Sequence, residues 1–133
     1  MRKTYAGSCH CGAVRFEADI DLAEETSRCN CSICTKARFW KVIAMPDAFR
    51  LLSGEDLLTE YRFGSRSIRH RFCRGCGIKP FGQGKLAGVG DFYAVNLACL
   101  DDASDDALAA APITYQDGRH DNWAASPSEI RHL

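Results

Sequence analysis

Residues 28–40 read RCNCSICTKARFW, and their three thiols, Cys29, Cys31 and Cys34, lie close enough in sequence to hold one metal ion. Two further groups flank them at a distance: Cys9-His10-Cys11-Gly12 and Cys73-Arg74-Gly75-Cys76-Gly77. Tetrahedral zinc takes four protein ligands in a structural site and three plus an open position in a reactive one. The two outer pairs fit the first description. In Cys-x-Cys an extended backbone puts both side chains on one side of the chain, and a tight turn does the same for Cys-x-x-Cys. Each pair is followed at once by a glycine, which can take positive φ and let backbone amides face the sulfurs. A long segment separates Cys11 from Cys73, so a metal held by Cys9, Cys11, Cys73 and Cys76 closes a large loop and contributes to folding.

The middle triplet has no such partner pair. Of the eight cysteines only Cys99, in NLACLDD, is left over. It lies within an apolar strand pattern, where a lone cysteine behaves as a small inert hydrophobe. The preferred reading is therefore an open fourth position on a second zinc, with Cys99 as fourth ligand the alternative. Three thiolates on Zn²⁺ leave about one negative charge, and Arg28, Lys36 and Arg38 surround the triplet with positive charge. A thiol bound there would be held as thiolate, and those three side chains could pair with its carboxylates. The even cysteine count would also suit a disulfide framework, but closely spaced pairs are awkward bridging partners and suit metal better.

The elements that must position these residues read as mainly β. AVRFEAD (13–19) alternates Val14 and Phe16 with Arg15 and Glu17, the period of a half-buried strand. FWKVIA (39–44), FRLLS (49–53), LTEYRF (58–63), SIRHRF (67–72) and FYAVNLA (92–98) read as further strands. SGED at 53–56, FGSRS at 63–67 and the glycine-rich GQGKLAGVG at 82–90 read as turns between them. SDDALAAA (104–111) is the one helical candidate, with Ser104 as N-cap and two aspartates in its first turn. The tail from residue 113 shows no clear period. The cysteines fall at strand ends and turns.

The chain's 133 residues suffice for a single domain spanning 1–133, and Lys+Arg and Asp+Glu both number 17. That balance, without a basic stripe of interleaved aromatics, argues against nucleic-acid binding. No segment approaches the roughly 20 apolar residues of a membrane span, and MRKTYAGSCHCG lacks the apolar run of a signal peptide. A cytoplasmic protein is the expectation. The oligomeric state is not legible.

The ordered runs GSCHCGAVRFEA, CNCSIC, FCRGCG with PF after it, VNLACLDD and DGRHDNW resemble the glutathione-dependent formaldehyde-activating enzyme family, which includes centromere protein V. The resemblance covers nearly the whole chain. It implies a mainly β, Mss4-like β-tent stabilised by zinc, with two zinc ions per chain. Carried over, Cys9, Cys11, Cys73 and Cys76 hold the structural ion, and Cys29, Cys31 and Cys34 hold a second ion associated with glutathione. One departure is local: many members follow the triplet with a basic residue and a glycine, whereas TKARFW has Lys36 and no glycine.

Two functions follow. One is a carbon–sulfur lyase type of activity, in which glutathione or a similar small thiol adds to formaldehyde or another small aldehyde, or the adduct is cleaved. A proton donor for the developing alkoxide is needed, and among His10, His70 and His120 the loop residue His120 is preferred, with Trp123 as a wall of the site. The other is a non-catalytic, zinc-stabilised module that binds a thiol or a protein.

Overall fold

The computed structural model describes residues 1–88 and 90–133. Among them, three strands form one antiparallel sheet in the order β1 (Lys3–Ser8), β2 (Arg15–Ile20), β5 (Phe49–Ser53). The larger sheet has seven strands. Its order is β10 (Ile113–Gln116), β3 (Thr26–Cys29), β4 (Trp40–Ala44), β9 (Gly90–Asn96), β8 (Phe81–Leu86), β7 (Arg69–Cys73), β6 (Leu58–Tyr61). Only the β10–β3 pair is parallel.

The core lies between the sheets. Phe16 stacks on Phe49 at 5.4 Å, and Phe49 stacks on Tyr93 at 4.1 Å with Phe81 tilted against it at 4.8 Å. These rings supply most of the apolar area that the alternation in β2, β5, β8 and β9 directs inward. Gly7 in β1 lies directly beneath the Phe16 ring, where a Cβ would overlap it. At the rim, buried Thr26 accepts a hydrogen bond from Trp40 Nε1 (2.8 Å) and donates to the Pro112 carbonyl (2.6 Å), so the indole's polar end is satisfied.

Strand alternation gives the large sheet a second face. Val95 and Phe81 point to the core, so Ala94 and Phe92 point away from it, and they pack with Phe39, Cys34 and Ile68. The register carries this face across the sheet. Cys29 is opposite Gln116, Lys41 lies between Ser27 and Asn96, and Ala94 is level with Gly82 and His70. Cys29, Lys41, Ala94, Gly82 and His70 therefore share one floor.

The six expected strands are present with shifted ends, and β5 has the boundaries read from the sequence. Ser104 caps α2 (Asp105–Ala110) by accepting from the Ala107 amide (3.1 Å). Other expectations fail. GQGKLAGVG is mostly strand: β8 covers 82–86, and β9 begins at Gly90, while Val89 lies outside the described residues. Gly84 is there for packing, since a Cβ would come within 2.6 Å of Ile68 and of the Phe92 ring. The run 92–98 leaves the sheet at Asn96, whose side chain caps a 3-10 turn, Leu97–Cys99, by accepting from the Ala98 amide. A helix that the sequence did not suggest, α1 (Ser32–Ala37), follows the second cysteine of the triplet.

Candidate metal centres

The outer cysteines meet where the two sheets meet. β1 runs into Cys9 and β7 ends at Cys73, and each chain then reverses over its second cysteine. The turns close through Cys9 N–H to the Val14 carbonyl (3.0 Å), Gly12 N–H to the Cys9 carbonyl (3.2 Å) and Gly77 N–H to the Cys73 carbonyl (2.7 Å). Gly12 at φ 80° and Gly77 at φ 79° occupy the left-handed region that these reversals require. Backbone amides then face sulfur: Val14 N–H donates to Cys9 Sγ (3.4 Å) and Gly75 N–H to Cys73 Sγ (3.3 Å).

The four sulfurs of Cys9, Cys11, Cys73 and Cys76 all lie within 4.8 Å of one another, with Cys9–Cys11 at 3.6 Å and Cys11–Cys73 at 3.7 Å. Ligands at a Zn–S distance of about 2.3 Å on a tetrahedron are roughly 3.8 Å apart, so the set fits zinc. The Ile78 and Cys11 amides pull the Cys76 thiol down to about 6, which favours the thiolate a metal needs. Among the described residues no other group of three or more potential ligands is gathered this closely.

The triplet is assembled from β3 and α1. Cys29 is buried at the end of β3, Cys31 occupies the N-cap position of α1 and Cys34 lies within its first turn. The Cys31 amide donates to Cys29 Sγ (3.4 Å). Hydrogen bonds from Cys29 and Cys34 pull the Cys31 thiol far below its usual range, and the same contacts push Cys34 up. Among the described residues these three sulfurs are less closely gathered than the four at the junction, and Cys31 is the thiol among them that most readily carries negative charge.

Residues 117–123 close over this group. Buried Asn30, between two of the cysteines, donates from Nδ2 to Asp117 Oδ1 (2.8 Å) and accepts from the Arg119 amide at Oδ1 (2.9 Å). This fixes Gly118 against Cys29, so closely that a Cβ at 118 would lie 2.5 Å from Cys29 Sγ and 2.5 Å from the Trp123 ring. His120 is exposed and binds Asp117 through Nδ1 (2.9 Å), one link removed from Asn30. Asn30 is invisible to a search for reactive residue types, although its position inside Cys-x-Cys marks it.

The flanking cations divide. Arg28 and Arg38 both line a small cavity of about 10 Å³ beside Cys29 and Cys34, where the Thr35 hydroxyl is buried without a partner. Arg28 lies over the Trp40 ring at 5.1 Å, and Arg38 donates to the His132 carbonyl (3.0 Å). Lys36 is on the exposed side of α1. Two lysines not singled out by the sequence act on the triplet instead: Lys41 and Lys79 both exert Coulombic attraction on Cys31 and Cys34. Lys79 lies over the Phe39 ring (4.1 Å), and its Nζ meets His70 Nδ1 at 2.8 Å. Burial, and then the Lys79 charge, push the His70 imidazole down to about 4, so it is neutral and accepts from the ammonium. His10 is exposed in the first knuckle.

Cys99 joins neither group. It is buried in the core with its thiol 3.9 Å from the Lys79 carbonyl, and burial pushes it up to about 12. Cys99→Ala is expected to leave the metal content unchanged and to cost about 1–2 kcal/mol, the loss of a small buried side chain, as read from denaturant melts with metal analysis.

Fold and site together define a mainly β thiolate protein, with a four-cysteine group able to hold a metal at the junction of two sheets. The family model for glutathione-dependent formaldehyde-activating enzymes matches residues 4–117, and the chain belongs to that family. It is also similar to a Rhodobacter sphaeroides protein of known crystal structure, at 34% identity and a TM-score of 0.69, covering 82% of this chain and 99% of that one. Among the described residues no helix is long and apolar enough to cross a membrane.

Proposed function

We propose that the protein works on thiol adducts of small aldehydes, with Cys29, Cys31 and Cys34 holding a second zinc ion and a substrate thiol completing its ligand set. One observation carries this reading: every other cysteine is committed elsewhere, four to the junction of the sheets and Cys99 to the core, so the triplet has no fourth thiol of its own. Its donor set of three thiolates suits zinc, which lowers the pKa of a bound thiol so that it is a nucleophile at neutral pH.

The chain's own residues supply the surroundings. Asn30 and Asp117 hold the covering loop over Cys29, which limits water at that sulfur. The substrate is glutathione or a related thiol, the partner is formaldehyde or a similar aldehyde, and the reaction forms or cleaves the S-hydroxymethyl adduct. His120, oriented by Asp117, is the candidate proton donor to the adduct's oxygen. Arg28 and Arg38 flank the cavity at Cys29 and Cys34, and with Lys36 they add positive charge for substrate carboxylates. Free, closely grouped thiols of this kind suit a reducing compartment, in keeping with a cytoplasmic location.

Glutathione binding to the zinc-loaded protein should release about one proton near neutral pH, because a free thiol of pKa about 8.5 is mostly protonated there and must bind as thiolate. Calorimetry in buffers of different ionisation heat measures that number. Zero release would remove the thiol from the metal. Proton release without adduct formation or cleavage above the spontaneous rate would make the protein a thiol-binding module and not a lyase.

A further inference from the structure

Lys41 and Lys79 stand out among the cations near the triplet because both lie on the floor of the large sheet with neutral hydrogen-bond partners. Lys41 comes from the middle of β4 and Lys79 from the segment between the second knuckle and β8, yet both reach the floor formed by the outer face of the large sheet. Lys41 Nζ donates to Gln116 Oε1 (3.0 Å) and Lys79 Nζ to His70 Nδ1 (2.8 Å). Both acceptors are neutral. An ammonium has three donors, so each retains donors for a further acceptor. Both side chains are partly buried, where an ammonium without a counter-charge is costly.

The triplet is the neighbouring thiol group: Cys29 shares the face of the sheet with Lys41, and Lys79 lies over the Phe39 ring, which packs against Cys34. Three thiolates on a divalent ion carry one negative charge, and a bound substrate thiolate makes it two. Such a centre repels any carboxylate carried by the same substrate. Two ammonium groups on the floor reverse that preference: they cancel the charge of the centre and offer hydrogen-bond donors beside it.

Building on the thiol-binding role of the triplet, we propose that Lys41 and Lys79 make this floor select thiols that carry a carboxylate a few atoms from the sulfur over neutral thiols of the same size. Lys79 is held in place by His70 beneath it and by the Phe39 ring, and Gly82 leaves the room in which its chain lies flat, with Cε 3.6 Å from where a Cβ would stand. Gln116 does the same for Lys41 from β10, reaching across β3.

The test compares 3-mercaptopropionate with 2-mercaptoethanol, titrated into the zinc-loaded full-length protein. Wild type should bind the acid about tenfold more tightly, the size of effect one charge-assisted hydrogen bond supplies. Lys79→Met and Lys41→Met should each lose most of that ratio by weakening the acid several-fold more than mercaptoethanol, and Lys79→Arg should keep it. Far-UV circular dichroism and zinc content establish that each variant is folded and loaded, and Lys41→Met carries the test alone if Lys79→Met fails these checks. Equal affinities in wild type, or variants that weaken both thiols alike or neither, overturn the assignment while leaving thiol binding intact. Failure of wild type to bind either thiol overturns the functional reading and the assignment with it.

Discussion

Cys73→Ser should unfold the protein or lower its stability by several kcal/mol, whereas Cys34→Ser should leave it folded with the first metal in place. Domains of this size are stable by only about 5–15 kcal/mol, and a structural zinc contributes an amount comparable to that whole margin. Cys73 is fully buried at the end of β7, packed with Cys9 and Val14, and its sulfur faces Cys11 across the junction of the sheets. Its loss removes the ligand that ties the large sheet to the small one. Cys34 belongs to α1, which has no buried residue. Thermal melts of both variants, with metal analysis before and after, decide the matter. Equal melting temperatures would mean that the two cysteine groups do not divide into a structural and a working site.

If the triplet holds zinc as proposed, Gly118→Ala should cost roughly 10- to 100-fold in its zinc affinity, the range found when a group that orients a ligand is disturbed. The new methyl group would come within 2.5 Å of Cys29 Sγ, and a buried cysteine on a strand has no alternative place for its sulfur. The half-exposed Trp123 ring can swing aside, so the damage concentrates on Cys29. Gly64→Ala is the matched control: nothing lies within 4 Å of its Cβ, and its φ of 59° makes the change a matter of local strain of about 1–2 kcal/mol. Competition with a colorimetric zinc chelator measures both variants. An unchanged affinity in Gly118→Ala would dissociate the 117–123 loop from the triplet.

Spacing made the cysteine groups legible before any fold was known, because ligand geometry constrains short-range sequence directly. The same held for β2, whose alternation is uninterrupted. β8 was hidden because its glycines carry the turn signal while serving close packing against Ile68 and Phe92, a requirement set by residues distant in sequence. β3 and β10 are four-residue strands, so neither has a period long enough to read. α1 has no side-chain cap and too few turns to show a helical face. Lys41 and Lys79 were passed over in favour of Arg28, Lys36 and Arg38 because proximity in sequence was the only proximity available. Strand register, which aligns Lys41 with Ser27 and Ala94 with Gly82 and His70, supplies the other kind.

The parallel pairing of β10 with β3 has a consequence for synthesis. A chain emerging from a ribosome folds from its N-terminal side as segments become available. All four junction cysteines have been made by residue 76, so that group can capture a metal before residues 113–118 arrive. Cys29, Cys31 and Cys34 are made earlier still, but β3 acquires its edge partner, and Cys29 its cover at Gly118, only when residues 113–118 arrive. The surroundings of the triplet are therefore completed later than the junction of the sheets, and a nascent chain holds these thiols uncovered until residues 113–118 arrive.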